Sequence, residues 1–428
     1  MAHLEHPLQQ LLSLRRQGIA SGIYSVCSAH PWVIRAAAEQ AASDGCLLLI
    51  EATSNQVNQF GGYTGMQPAA FCDFVFAQVR AAGLPKERLI LGGDHLGPNP
   101  WRAQPAAEAM QQASIMVSEY VSAGFTKIHL DASMPCADDR QQPSDALVAE
   151  RTVILCKAAE AAAAPGTRPV YVVGTEVPTP GGATHSLEGL QVTSENAVAE
   201  TLRVYREAFA AAGLEDAWSR VIALVVQPGV EFDHDSVVHY DRAKATPLTR
   251  WLARQQEAIV FEAHSTDYQR PAAYKALVED GFAILKVGPA LTFAMREALY
   301  ALEDMEKQLL PVAQQSHLSD TVEETMLREP ADWQAHYHGS LAEQRLLRQY
   351  SYSDRVRYYW PRPAIAHAVQ TLVANLESTA LPESMLSRYL PAQYVRLRAR
   401  QIAGDPVSLV VDRIKDVLRV YAAATPAV

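Results

Sequence analysis

The chain has 428 residues, of which 49% are hydrophobic and 20% are charged, a balance that favours a large packed core and argues against global disorder. Its formal net charge is −10 and no basic block stands out, which argues against nucleic acid or an anionic membrane surface as a partner. No run of about 18 apolar residues predicts a membrane span, and five scattered cysteines without a CxxC pair indicate free thiols in the cytoplasm.

Apolar runs alternate with helical stretches after a short N-terminal helix at 5–17. The runs fall at 22–28, 46–53, 89–91, 127–133, 170–177, 221–229, 258–267 and 282–292. They are nearly continuous in Val, Ile and Leu, as expected for strands covered on both faces. Eight β/α units in about 250 residues predict an α/β fold of the TIM (β/α)8 barrel type. The alternative is an open doubly wound sheet, although the first βα turn lacks the GxGxxG of dinucleotide-binding folds.

Residues 300–428 are helical in pattern and contain no strand run. We therefore divide the chain into a barrel with its N-terminal helix, at 1–299, and a helical C-terminal extension packed on the barrel, at 300–428. The most unusual stretch of the extension is 350–361, YSYSDRVRYYWP. Its arginines and aromatic residues suit a cap over the barrel mouth, a phosphate site, a buried packing segment or a partner surface.

Polar side chains stand where the predicted strands end. They are Glu51, Asp94, His95, Asp131, Glu176, Gln227, His264 and Lys286. Because the carboxyl ends of barrel strands meet at one face, we expect these side chains to converge on one mouth. An Asp-His pair there offers a general acid or base and a metal-binding imidazole, whereas the structural alternative is a helix-capping aspartate beside a packed histidine. The polar loop at 54–66 suits a hydroxyl-rich ligand or a solvated surface loop equally.

Long blocks of the chain resemble the Z-type (GatZ/KbaZ) subunit of tagatose-1,6-bisphosphate aldolase. They include LIEATSNQVNQFGGYTGM, LGGDHLGPN, KIHLDAS, GTEVPTPGGA, EAHSTDYQ and FAILKVGPALTF, and the resemblance extends over about residues 20–420. It implies a cytoplasmic bacterial protein of galactitol or N-acetylgalactosamine catabolism. It also implies a partner, the Y-type class II aldolase subunit, which holds zinc and cleaves tagatose 1,6-bisphosphate to glycerone phosphate and glyceraldehyde 3-phosphate. The Z-type subunit is implied to support the activity and stability of that partner without cleaving the substrate alone.

The barrel also resembles the catalytic class II aldolases. Asp94 and His95 are similar to their proton-transferring Asp and metal-binding His, and His264 is similar to another metal-binding His. The third histidine of those enzymes follows the sixth strand, where this chain has Gln227, with His234 seven residues later. The third metal ligand is therefore left open between these two residues and an acid on the fifth strand.

We predict three sets of site residues from these patterns and resemblances. Proton transfer is assigned to Asp94 and Asp131. A divalent metal ion, zinc in particular, is assigned to His95, Glu176 and His264. Contacts to a sugar-phosphate ligand are assigned to Glu51, Asn55, Gln59, Lys286 and Arg355.

Two functions of different classes follow. The first is a non-catalytic subunit that activates or stabilises a tagatose-1,6-bisphosphate aldolase, which the resemblance favours. The second is a metal-dependent epimerase of tagatose- or fructose-type ketoses or their phosphates, which the dense polar mouth favours. A P-loop kinase and a triad hydrolase are not supported, because the sequence contains neither GxxxxGK[ST] nor GxSxG.

Overall fold

Eight parallel strands close into a barrel in the computed structural model, which describes residues 5–175 and 189–426. The barrel strands are β1 (Ile23–Val26), β2 (Leu48–Thr53), β3 (Leu89–Leu96), β4 (Lys127–Leu130), β5 (Val170–Val173), β6 (Val221–Val225), β9 (Val260–Ala263) and β10 (Phe282–Val287). A separate antiparallel pair, β7 (Glu231–Phe232) and β8 (Val237–Val238), follows β6. The order around the barrel is β1-β10-β9-β6-β5-β4-β3-β2, which confirms the predicted (β/α)8 architecture.

Helices surround the barrel and continue beyond it. They are α1 (Gln9–Arg16), α2 (Pro31–Asp44), α3 (Pro68–Ala81), α4 (Ala106–Ser122), α5 (Asp145–Ala162), α6 (Glu195–Ala211), α7 (Glu215–Trp218), α8 (Arg242–Arg254), α9 (Pro271–Glu279), α10 (Pro289–Leu309), α11 (Leu318–Arg328), α12 (Leu341–Tyr350), α13 (Pro363–Glu377), α14 (Glu383–Tyr389), α15 (Pro391–Arg398) and α16 (Pro406–Ala424). Several begin at a local start signal. Ser144 and Ser194 accept a backbone N–H from the first turns of α5 and α6, and α10 and α16 start with proline.

The amino end of the barrel is closed by α1 and the residue before it. Leu8 and Leu11 are buried in a second hydrophobic cluster with residues near the starts of the strands, among them Ile23, Ile90 and Ile222. Burying these aliphatic side chains removes apolar surface from water, which fixes the helix across the barrel end. Access to the barrel interior is therefore left to the carboxyl ends of the strands.

The C-terminal helices pack on the barrel side. The last helix, α16, contacts α2, α9 and α10, and its Tyr421 hydroxyl lies 3.0 Å from the Thr266 hydroxyl in the loop after β9. The predicted helical extension is thus present, and α10 is continuous through residues 299 and 300. The division of the chain at that position stays a prediction. In the described ranges, no helix is long and apolar enough to cross a membrane.

Candidate functional site

A group of charged and imidazole side chains fills the carboxyl end of the barrel. Its members are Glu51, Asp94, His95, Lys127, His129, Asp131, Glu262, His264 and Lys286, and all of them are buried. They come from β2, β3, β4, β9, β10 and the residues that follow these strands. Their side chains converge because alternate residues of each strand point into the barrel. Polar groups buried in this number need partners, and each partner is a member of the same group or a neighbouring loop residue.

Two lysines and two glutamates form the floor of the site. The fully buried Lys127 Nζ lies 2.5 Å from Glu51 Oε1 and 2.6 Å from Glu262 Oε2. Lys286 Nζ pairs with the other oxygen of Glu51 and lies 2.9 Å from Asp94 Oδ1. Each lysine therefore bridges carboxylates from different strands, which ties the strands together below the mouth.

Three imidazoles stand above this floor. The ring centroids of His95, His129 and His264 lie 4.9–5.3 Å apart, and the His264 ring is nearly perpendicular to the other two. Each ring has a carboxylate partner: His95 Nδ1 and Asp131 Oδ2 are 2.8 Å apart, His129 Nδ1 and Asp94 Oδ1 are 2.9 Å apart, and His264 Nε2 and Glu262 Oε1 are 2.9 Å apart. A carboxylate behind an imidazole is the usual second contact of a metal-binding histidine, since it fixes the ring and raises its basicity.

The arrangement of β3 explains how two consecutive residues reach the same site. Successive strand residues ordinarily point to opposite faces. His95 breaks this rule because its backbone is left-handed, with φ of 49°, and the pairing of β3 with β4 shifts register between Gly93 and Leu96. Asp94 and His95 are consequently both turned into the mouth. A left-handed conformation is costly for a non-glycine residue and is retained mainly at functional sites.

The electrostatics keep the two aspartates ionised. Burial by itself would raise the pKa of Asp94 and Asp131, but neighbouring imidazoles hold both pKa values well below the ordinary range. Burial opposes a charge on His95 as well, yet Asp94 and Asp131 raise its pKa to about 8. Burial lowers the pKa of His264. The two aspartates are thus carboxylates, and His95 binds a proton more readily than His264 because the pKa of His95 is raised and that of His264 is lowered.

The residues present fit a metal ion on two grounds. One ligand atom each from Asp94, His95, His129 and His264 lie within 4.8 Å of one another, and His129 Nε2 is buried without a hydrogen-bond partner in the described part of the chain. A buried unpartnered imidazole nitrogen is costly unless it binds something. With neutral imidazoles, the four carboxylates and two lysines of the group leave a net charge of −2, which a divalent cation would neutralise.

A cavity lies over these imidazoles. The described residues that line it are Cys27, Thr53, Asn55, Gln56, Tyr63, Asp94, His95, Phe232, His264, Ser265, Asp267, Lys286, Val287, Gly288, Pro289, Arg357 and Tyr358. It adjoins a second, more apolar cavity of about 430 Å³ between the first βα loop and the C-terminal extension. The extension therefore supplies part of the wall of the site.

Comparison with known protein families gives a match over nearly the whole chain. The sequence profile of one family, described as D-tagatose-1,6-bisphosphate aldolase subunit GatZ/KbaZ-like, matches residues 8–426. The chain belongs to this family.

Relatives of this GatZ/KbaZ-like chain are similar to it along their whole length. The D-tagatose-1,6-bisphosphate aldolase subunit GatZ of Salmonella newport strain SL254 is 49% identical over 416 residues, which are 97% of this chain and 98% of that protein. The protein of the same name from Klebsiella pneumoniae subsp. pneumoniae has the same identity and coverage. A crystal structure from Sinorhizobium meliloti 1021, titled a probable tagatose 6 phosphate kinase, is 49% identical, covers 94% of this chain and 100% of its own, and has a TM-score of 0.88.

Most of the site residues predicted for this GatZ/KbaZ-like chain do come together. The residues placed in the group at the mouth are Glu51, Asp94, His95, Asp131, His264 and Lys286. Asn55 lines the cavity above them. Glu176, the predicted third metal ligand, lies outside the described residues. The proposed roles of all these side chains stay predictions.

Two predicted ligand contacts lie elsewhere. Gln59 donates from Nε2 to the backbone and side-chain oxygens of Gln112, at 3.1 Å each, and is not among the residues that line the cavity. The Arg355 guanidinium covers the Tyr358 ring at 4.9 Å and its Nε donates to the Asp332 carbonyl. Arg355 sits in a turn of 3-10 helix, Arg355–Tyr358, whose tight winding turns a different arginine toward the cavity.

One histidine of the imidazole cluster, His129 of β4, was not among the predicted metal ligands. The two candidates after the sixth strand have other partners. Gln227 Oε1 accepts the N–H groups of Gly229 and Val230 in its own loop, and the His234 ring lies 3.1 Å from Ser351 Oγ in the C-terminal extension. The sequence KIHLDAS contains the pattern that indicates His129, because His129 and Asp131 are two residues apart and therefore lie on the same face of the strand. Glu262 and His264 share a face for the same reason.

Proposed function

We propose that this chain is the non-catalytic subunit of a tagatose-1,6-bisphosphate aldolase. In this proposal it associates in the cytoplasm with a catalytic Y-type class II subunit and supports the activity and stability of that subunit. The observation that carries the proposal is the family match over residues 8–426, together with relatives named as this subunit that are 49% identical over 98% of their own length. The epimerase alternative has no comparable support, because these relatives are named as aldolase subunits.

Association can be measured directly. The full chain and a Y-type catalytic subunit would be purified separately, mixed at equal micromolar concentrations and analysed by size-exclusion chromatography with light scattering. We expect a new species that contains both chains. Elution of the two proteins at their separate masses across this concentration range would contradict the proposal.

We further propose that the mouth holds a divalent metal ion, with zinc the best fit. His95, His129 and His264 would bind it, and Asp94, Asp131 and Glu262 would orient the rings from behind. Three protein ligands with an open fourth position are typical of a zinc that also binds a small ligand. The bound ion would supply a Lewis acid for a ligand oxygen at that open position. The unpartnered Nε2 of His129 is the observation that supports this set over the one predicted with Glu176.

Metal content separates this ligand set from its alternatives. Wild type and His129→Ala would be dialysed against a weak chelator and analysed for zinc by mass spectrometry. His234→Ala is the matched control, because His234 lies outside the imidazole cluster. We expect zinc near one equivalent in wild type and the control and much less in His129→Ala, because loss of even a residue behind a metal ligand typically weakens metal binding about tenfold or more. Equal zinc in all three proteins would contradict the assignment, and so would zinc in none of them.

A further inference from the structure

One guanidinium stands at the junction of the two adjoining cavities. Arg357 lines both the cavity over the imidazoles and the larger apolar cavity beside it. It belongs to the 3-10 turn between α12 and α13. It donates to the carbonyl oxygens of Ser353 and Asp354 and to the Tyr358 hydroxyl, and it lies 4.5 Å from the centroid of the Tyr358 ring. These contacts fix the position of the side chain without neutralising its charge.

The charge of Arg357 has no carboxylate partner within 4.0 Å in the part of the chain that the structure describes. Lys286 also lines this cavity, but its ammonium group pairs with the carboxylates of Glu51 and Asp94. Arg357 is half-buried, and a partly buried cation without a carboxylate partner is less favourable than a paired one, so an anion would be a suitable ligand at this point of the cavity.

Two carboxylates whose charges act on Arg357, Asp354 and Asp267, already have other partners. Asp354 accepts from the Thr292 hydroxyl at 2.5 Å and pairs with Arg296 at 3.2 Å. Asp267 accepts the backbone N–H groups of Gly288 and Ala290, at 3.1 and 2.8 Å. They influence Arg357 only at longer range.

The position of Asp267 also decides where an anion can bind. In (β/α)8 barrels a phosphate is often held by backbone N–H groups at a helix N-terminus near the last strands. Here those groups, at the start of α10, are occupied by the Asp267 carboxylate. A phosphate cannot share them with that carboxylate, so among the described residues that line this cavity the Arg357 guanidinium is the cation left to pair with an anion.

We propose that Arg357 binds the phosphate group of a phosphorylated sugar whose oxygens extend toward the imidazole cluster. A planar guanidinium suits phosphate because it can donate two parallel hydrogen bonds. Asn55 and Gln56 line the same cavity and offer amide donors and acceptors for sugar hydroxyls. The identity of the sugar rests on the proposed function, which indicates a tagatose phosphate; the recognition of a phosphate monoester rests on Arg357 alone.

The test is calorimetric titration of the full chain with tagatose 6-phosphate, free tagatose and inorganic phosphate. Wild type, Arg357→Gln, Arg357→Lys and Arg362→Gln would be compared, and Arg362 is the matched control because it lies in the same segment but already pairs with Glu329 at 2.8 Å. We expect tagatose 6-phosphate to bind wild type and the control equally and Arg357→Gln about 10- to 100-fold more weakly, the loss typical of a charge-assisted hydrogen-bond pair. Arg357→Lys should fall between them. Unchanged affinity in Arg357→Gln would overturn the proposal.

Measurements on wild type keep the proposal testable if Arg357→Gln does not fold. Inorganic phosphate should compete with tagatose 6-phosphate, and free tagatose should not. If free tagatose binds as tightly as its phosphate, the phosphate is not recognised and the proposal is wrong.

Size-exclusion analysis of Arg357→Gln with the catalytic subunit separates the role of Arg357 from the proposed subunit function. Complex formation with unchanged sugar-phosphate affinity refutes only the role of Arg357.

Discussion

Replacing Lys127 by methionine should be among the most destabilising single changes in the chain. Lys127 is fully buried, and its ammonium group lies between Glu51 and Glu262 at 2.5 and 2.6 Å. Methionine has nearly the same length and fills the space, so packing is conserved while the charge is removed. What remains is a set of buried carboxylates with one cation fewer.

The two glutamates are affected unequally. Glu51 keeps Lys286 as a close partner, whereas Glu262 retains Lys286 only at 3.8 Å and His264 at 2.9 Å. Removing one partner of a buried ion pair typically costs about 3–5 kcal/mol, because the remaining charge is left uncompensated. We therefore expect the free energy of unfolding of Lys127→Met to fall by about 3–5 kcal/mol.

Urea denaturation followed by circular dichroism measures this loss. Lys275→Met is the matched control: its ammonium pairs with Glu279 at 3.9 Å, but its side chain is 73% exposed, so it should lose less than about 1 kcal/mol. The double variant Lys127→Met/Glu262→Gln should recover part of the loss, because the least compensated carboxylate is then neutral. A loss below about 1 kcal/mol for Lys127→Met would show that the floor is hydrated or mobile and would refute the reasoning.

Three further predictions test other parts of the site and fold. Removal of metal by a strong chelator should lower the melting temperature of wild type and leave His129→Ala unchanged in calorimetry; equal shifts in both would count against the metal site. Burial lowers the pKa of His30 from 6.5 to about 4, so the folded state resists a proton that the unfolded chain accepts. Stability should therefore fall as the pH drops from about 6.5 toward 4, by up to about 2 kcal/mol at pH 5. His30→Asn should lack this part of the fall, and its side-chain oxygen can replace His30 Nδ1 as the acceptor of the Trp32 N–H at the start of α2. A β-carbon on Gly97 would lie 1.6 Å from the Asp131 carbonyl oxygen, so Gly97→Ala should lose more than about 3 kcal/mol in urea denaturation. Gly404→Ala, with its nearest contact at 3.4 Å, should lose about 1 kcal/mol or less, and equal losses would contradict the packing.

The barrel could be predicted because its strands carry a strong local signal. Near-continuous Val, Ile and Leu runs at eight positions, separated by helical stretches, leave few alternatives to a closed parallel sheet. The strand ends were less certain, and β4 and β5 end at Leu130 and Val173, before the predicted limits of 133 and 177. The residues just past β4 and β5 are polar or small, whereas β3 continues through two glycines to Leu96, beyond the predicted limit of 91, so composition alone does not fix where a strand ends.

Only part of the site could be predicted, because the alternation of residues along a strand shows which face a side chain is on but not how close it lies to side chains of other strands. The Asp94-His95 pair and His264 could be placed at one mouth from strand ends alone. That His129 completes the imidazoles depends on the left-handed backbone of His95, which brings its ring within 5.1 Å of the β4 histidine. In the same way, the choice between Arg355 and Arg357 depends on the winding of one 3-10 turn.

The most direct test of the proposed function is cleavage of tagatose 1,6-bisphosphate in three matched reactions. They contain this chain alone, the Y-type catalytic subunit alone, and both at equal concentration, each followed over time at a fixed temperature. The account predicts no cleavage by this chain alone, and a mixture that is faster or loses activity more slowly than the catalytic subunit by itself. Cleavage by this chain alone, or a mixture that matches the catalytic subunit in both rate and half-life, would contradict it.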